Sequence, residues 1–318
     1  METRLADMQL CSSILSSLNE CILGKENEIE RLMIAVIGGG HVLLEDVPGT
    51  GKTQLVKALA KTIGGQFRRI QCNPDLLPTD ITGVSIYHPK QEQFIFRSGP
   101  VMTNVLLADE INRATTKTQA ALLEAMEEGH VTVDGDTYML PSPFILLATQ
   151  NPIDFEGTYS LPEAQLDRFM MKLSLGYPNE ADEQRMVLSR EGVHPSDRME
   201  QLSTIEDIER IQEQVLAVHM DDAVGNYLIQ LVRSTRTHPQ VVLGASPRAA
   251  IALSRAAKAS AYLQQRTFVT PDDVKNLAPY VLSHRMLLNT DARMNGLRAE
   301  DIVAQLLDTA KVPVRLER

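Results

Sequence analysis

Val47-Pro48-Gly49-Thr50-Gly51-Lys52-Thr53 decides how this chain folds. It follows the apolar run Val42-Leu43-Leu44 and leads into a helical pattern over residues 54–61. Strand, glycine-rich turn, Gly-Lys-Thr and helix form the layout of a phosphate cradle. There the backbone N–H groups of a tight loop and the positive end of a helix converge on anionic oxygens. Gly49, Thr50 and Gly51 supply the turn, Lys52 is expected to reach the β/γ-phosphates, and the Thr53 hydroxyl to hold Mg²⁺. The phosphate-loop pattern asks for glycine where this chain has Asp46, so a plain glycine-rich turn is the competing reading. A carboxylate aimed at phosphates would repel them, so the Asp46 side chain is expected to turn away.

Working outward, helical periodicity covers residues 5–20 and 26–37, and Gly38-Gly39-Gly40 stops the second helix. After the cradle helix, residues 67–72 read as a strand. Residues 84–87 and 93–97 alternate as a β-hairpin projecting from a broken helix. Its aromatics, Tyr87, Phe94 and Phe96, either contact a substrate or pack the hairpin onto its own base. Val105-Leu106-Leu107-Ala108-Asp109-Glu110 is an apolar strand ending in two acids, where a parallel sheet exposes its carboxyl ends. Asp109 is expected to orient Mg²⁺ through its water shell and Glu110 to polarise a water for in-line attack. A helix over 114–128 and a hairpin over 131–139 with an Asp-Gly turn follow. The strand 144–149 is tipped by Gln150-Asn151-Pro152. Asn151 either bonds the γ-phosphate and the attacking water or merely caps the next turn.

Residues 170–175 read as another strand, 180–191 as a helix, and 192–197 as a linker. Beyond it the pattern is helical only, a small four-helix unit. Its starts are marked by the capping box Ser203-Thr204-Ile205-Glu206, by Asp221 or Asp222, and by Ser246-Pro247 and Thr270-Pro271. Arg248 stands in the first turn of its helix, a poor place for a cation beside the positive end of the helix dipole. It either serves a phosphate elsewhere or is an ordinary solvated arginine.

The 318 residues, 43% hydrophobic and 23% charged, suit a globular protein of two domains. Apolar runs such as residues 144–148 are far too short to span a bilayer, and the first residues lack a signal-peptide core, so the cytoplasm is the expected compartment. Cys11, Cys21 and Cys72 lack metal-ligand spacing and are expected to be free thiols. The net charge is −10, with 14 basic against 23 acidic side chains in residues 1–180 and 17 against 18 in 181–318. Neither half carries the basic footprint of a nucleic-acid binder.

In this order the pieces resemble the AAA+ ATPases, and specifically the MoxR family, over about the whole chain. The resemblance rests on residues 43–53, on Ala108-Asp109-Glu110-Ile111-Asn112-Arg113-Ala114, on Leu122-Leu123-Glu124-Ala125-Met126-Glu127-Glu128 and on Ala148-Thr149-Gln150-Asn151-Pro152. It continues through Glu163-Ala164-Gln165-Leu166-Asp167-Arg168-Phe169 and Gly244-Ala245-Ser246-Pro247-Arg248-Ala249. It implies an α/β P-loop AAA+ domain, a parallel sheet sandwiched by helices with β-hairpin insertions, over 1–195. A small all-α lid domain follows over 196–318. It implies Walker A roles for Lys52 and Thr53, Walker B roles for Asp109 and Glu110, and sensor 1 for Asn151. Arg248 resembles sensor 2, reaching its own subunit's γ-phosphate, and Arg168 resembles an arginine finger offered to a neighbour, with Arg113 facing the same neighbouring site. The Ile22-Leu23-Gly24 segment is expected against the adenine.

ATP and Mg²⁺ are the implied cofactors. A hexameric homo-oligomeric ring is the implied assembly, and a protein client, of the von Willebrand factor A domain type, the implied partner. The function so implied is Mg²⁺-dependent ATP hydrolysis driving chaperone-like remodelling. A metal-chelatase-type subunit and a nucleotide-gated scaffold are the alternatives.

Overall fold

A computed structural model describes residues 2–47, 49–151, 159–188 and 195–313. Pro48, Pro152 and residues 192–194, which figure in the cradle, sensor and linker readings, lie outside these residues. Five strands form a parallel sheet: β1 (Val42–Glu45), β2 (Phe67–Gln71), β3 (Val105–Asp109), β4 (Ile145–Gln150) and β5 (Met171–Leu173). Their order is β2-β3-β4-β1-β5. The three central strands are apolar at nearly every position because helices cover both faces. Period-two alternation divides them between two cores. Val42, Leu44, Val105, Leu107, Ile145 and Leu147 face one cluster, and Leu43, Leu106, Ala108, Leu146 and Ala148 face the other.

The first cluster is filled by helices Glu2–Cys21, Glu26–Ile37 and the cradle helix Lys52–Thr62, the second by helix Thr116–Glu128. Two hairpins stand off the second face, Gly83–His88 with Gln93–Ser98 and His130–Val133 with Asp136–Met139. Phe96 stacks on Tyr138 at 3.9 Å between ring centroids, so it ties one hairpin to the other. Tyr87 and Phe94 meet edge-to-face at the exposed end, and Phe94 is 72% exposed.

The C-terminal part is richer than four helices. Helices Ile205–Leu216, Asp222–Thr237, Pro247–Leu263 and Pro271–Leu282 are joined by the short helix Thr290–Met294, a further helix Ala299–Thr309, and a two-stranded ribbon of Val241–Leu243 with Leu287–Leu288. These helices share the first cluster with the sheet's helices. Asp7 binds Arg210 through both carboxylate oxygens, at 2.6 and 2.9 Å, fastening the N-terminal helix to helix Ile205–Leu216. The described part of the expected linker is the short helix Pro195–Arg198, and it is docked. Ser196 is buried with its hydroxyl on Gln54, and Asp197 meets Lys57 and Lys61 of the cradle helix. Among the described residues no helix is long and apolar enough to cross a membrane.

Two histidines make this packing sensitive to acid. His41, just before β1, accepts the Leu146 N–H on Nδ1 at 3.0 Å, and burial pushes its ring down to about 4. His284 is buried 3.1 Å from the Phe169 carbonyl, and burial, reinforced by the adjacent Arg285, holds it well below the usual histidine value. Both stay neutral in the folded chain, whereas the unfolded chain takes up protons below about pH 6.5. Stability is therefore full above that pH and falls as the pH drops toward 4. Urea unfolding should show the loss between pH 6.5 and 4.5, at up to about 1.4 kcal/mol per histidine per pH unit. His41→Asn, which keeps an acceptor for Leu146, should flatten the slope. A wild-type stability that is level over this range would contradict the assignment.

Candidate active site

The cradle loop leaves the carboxyl end of β1, and Gly49 and Gly51 both adopt left-handed backbone, φ +87° and +88°. An added Cβ would meet nothing within 4 Å at either, so glycine is needed here for conformation rather than space. Lys52 opens the cradle helix and donates to the carbonyls of Val47 (2.8 Å) and Asp46 (3.2 Å), which folds its ammonium into the loop. Burial lowers the Lys52 pKa, while Asp46, Asp109 and Glu110 oppose that shift. Asp46 is buried at the edge of the cavity, and both of its carboxylate oxygens are taken up by backbone N–H groups. One carboxylate oxygen accepts the Val47 N–H, the other the N–H groups of Leu175 (3.0 Å) and Gly176 (2.9 Å). The departure from the phosphate-loop pattern thus serves as a strut between the cradle and the end of β5.

The acids at the end of β3 are held from both neighbouring strands. From β4, the Thr149 hydroxyl donates to Asp109 (2.6 Å) and accepts the Glu110 N–H (2.8 Å). From β2, Arg69 donates to Asp109 (2.6 Å) and Gln71 to Glu110 (3.1 Å), and Arg113 lies 3.3 Å from Glu110. Glu110 itself is left-handed, φ 55° and ψ 51°, a conformation that costs about 1–2 kcal/mol for a residue with a Cβ. The turn after it is pinned by buried Gln119, which donates to the carbonyls of Ile111, Ala114 and Tyr159. Strain at this glutamate is over-determined by its surroundings.

Gly49, Thr50, Gly51, Lys52, Thr53, Asp109, Glu110 and Asn151 line one cavity of about 320 Å³. Arg69, Gln71 and Thr149 line it too, and the sequence reading assigned them nothing. Thr149 is a polar residue near the end of an apolar strand, whereas Arg69 and Gln71 belong to the largely polar β2, Phe-Arg-Arg-Ile-Gln, and join the site only once the strand register is known. Hard oxygen donors, the Thr53 hydroxyl and the Asp109 carboxylate, face this cavity and suit Mg²⁺. Three of the expected site residues lie elsewhere. Gly24 packs on helix Glu180–Leu188, so closely that a Cβ would fall 2.1 Å from an Asp182 carboxylate oxygen. Arg168 and Arg248 both meet Glu127, Arg168 with its Nε at 2.9 Å. In this structure Arg248 is engaged by Glu127, and the start of its helix is tied down. The Ser246 hydroxyl donates to the Asp167 carboxylate at 2.7 Å, and Asp167 also takes the buried Arg285.

The sheet order, the cradle after β1, the acids ending β3 and the asparagine beyond β4 define an AAA+ module with a helical lid. The chain matches the family model for ATPases associated with various cellular activities over residues 41–171 and an AAA lid domain model over 233–306. It is 42% identical to Chaperone MoxR1 of Mycobacterium tuberculosis, over 97% of this chain and 84% of that protein, and it belongs to the MoxR family of AAA+ ATPases. It is also 50% identical to the Bacillus subtilis protein YeaC, over 96% of each chain. A crystal structure of a Cytophaga hutchinsonii protein, provisionally described as an ATPase, superimposes with a TM-score of 0.90 at 38% identity, over 98% of this chain and 97% of that one.

Because both Asp46 carboxylate oxygens are occupied by backbone N–H groups, Asp46→Gly should leave ATP affinity within a few-fold while losing about 2–4 kcal/mol of stability with its buried carboxylate bonds. Nucleotide titration and urea unfolding of the variant measure the two separately. A large gain in affinity at unchanged stability would contradict this geometry.

Proposed function

We propose that the chain is an Mg²⁺-dependent ATP hydrolase whose site is completed between subunits of a ring, coupled to chaperone-like remodelling of a protein client. The observation that carries this reading is a division of labour. The groups that bind nucleotide and activate water share one cavity, whereas the two arginines suited to a γ-phosphate are held together outside it.

In the cavity, the loop N–H groups and Lys52 would bind the phosphates, and Thr53 and Asp109 would hold Mg²⁺. Once bound, the ion would supply neutralisation of the phosphate charge. Glu110 takes the proton of the attacking water, with its backbone fixed by Thr149. Asn151 orients that water or the γ-phosphate. Arg168 completes a neighbour's site, where charge on the γ-oxygens grows in the transition state, and Arg248 joins it there rather than serving its own nucleotide. A hexamer is the assembly that AAA+ membership suggests, and proteins with von Willebrand factor A domains are the client class. ATP and Mg²⁺ supply make the cytoplasm the expected compartment. The chaperone name of the Mycobacterium tuberculosis relative and its near full-length match support this reading over a chelatase-type subunit.

Glu110→Gln should abolish turnover while retaining ATP binding, and Arg168→Ala should lower turnover by about 10³-fold or more. Steady-state phosphate release at saturating ATP measures both. Wild-type rates in both variants would overturn the site assignment.

A further inference from the structure

We propose that Glu127 is the positioning residue for the two trans-acting arginines, holding Arg168 and Arg248 as one pair for a neighbour's γ-phosphate. The inference rests on the reading of Arg168 given above. The three side chains come from separate elements: Glu127 from the last turn of helix Thr116–Glu128, Arg168 from the turn before β5, and Arg248 from the first turn of lid helix Pro247–Leu263. Each carboxylate oxygen takes one cation. Arg168 Nε lies 2.9 Å from Oε2, off the line of its N–H and so held mainly by charge, and Arg248 donates an Nη2 hydrogen to Oε1.

Glu127 and Arg248 each violate the preference of their own helix. An acid at the C-terminal end and a cation at the N-terminal end are both disfavoured by the helix dipole. Their pairing cancels both misplacements. Without the carboxylate, two guanidinium groups from different elements would repel across this site. An isolated exposed ion pair contributes only about 0–1 kcal/mol, because ordering two long side chains offsets the attraction. Here the backbones are already immobile. Ser246, next but one to Arg248, is bonded to Asp167, and the carbonyls of Asp167 and Phe169, flanking Arg168, are held by Arg285. The Glu127 and Arg168 side chains are 29% and 28% exposed, and that of Arg248 is 53% exposed. With the backbones fixed by the lid, the side-chain directions are left to Glu127.

The test uses full-length chains. Glu127→Gln keeps volume but turns an amide donor toward an arginine, and Glu127→Ala removes the anchor. Each should melt near the wild-type temperature, bind ATP normally and lose turnover about tenfold or more, as misplaced reacting groups do. Each variant is then mixed with Glu110→Gln chains, which lack hydrolysis but carry intact arginines. Arg168→Ala mixed in the same way is the control. Recovery of turnover in the control and in both Glu127 mixtures supports the inference. Recovery in the control alone, or wild-type turnover of the unmixed Glu127 variants, overturns it while leaving the ring reading intact. No recovery in the control overturns the ring reading itself, and this inference with it.

Discussion

The arrangement depends on one buried guanidinium. Arg285 sits at the junction of lid and sheet with 2% of its side chain exposed, and burial lowers its pKa to about 10 against the opposing pull of Asp167. A charge so placed costs several kcal/mol unless every donor is matched. Its partners are the Asp167 carboxylate and the carbonyls of Asp167, Phe169, Met170 and Val281. Four of those five contacts lie on the segment that carries Arg168. The lid and the segment carrying Arg168 are consequently fastened into one body, and Ser246, bonded to the same Asp167, adds the start of helix Pro247–Leu263 to it.

This coupling explains how the chain divides its chemistry. The cavity at the carboxyl ends of β1, β3 and β4 is lined by the groups proposed for binding and for water activation, braced by Thr149, Gln71 and the turn at Glu110. The arginines belong instead to the lid-linked body. In the proposed ring, a shift of that body would carry the cations with it, linking the lid of one subunit to the site of the next.

Local features were legible in the sequence. Helix Glu26–Ile37, the cradle helix, the central strands and both hairpins follow from periodicity, glycine placement and the Asp-Gly turn, none of which needs distant partners. The cradle residues, the acid pair and Asn151 were also readable, because each lies at or beside the end of a strand. What escaped depends on long-range contacts. Asp46 looked like a defect in the loop, and only its bonds to Leu175 and Gly176, some 130 residues away, make it a strut. Arg69 and Gln71 become partners of the acids through the pairing of β2 with β3. Arg248 was expected at its own phosphate, and its contact with Glu127, from a helix some 120 residues earlier, is one that the sequence does not show. The ribbon Val241–Leu243 with Leu287–Leu288 is too short to leave a periodic signal.

The central claim is that two chains make one hydrolytic site. ATP turnover per chain, measured across a dilution series with the assembly state followed by sedimentation in the same buffer, tests it most directly. Turnover should be near zero where only single chains sediment and rise to a plateau as the ring forms. Turnover per chain that stays constant down to the single-chain regime would contradict the account.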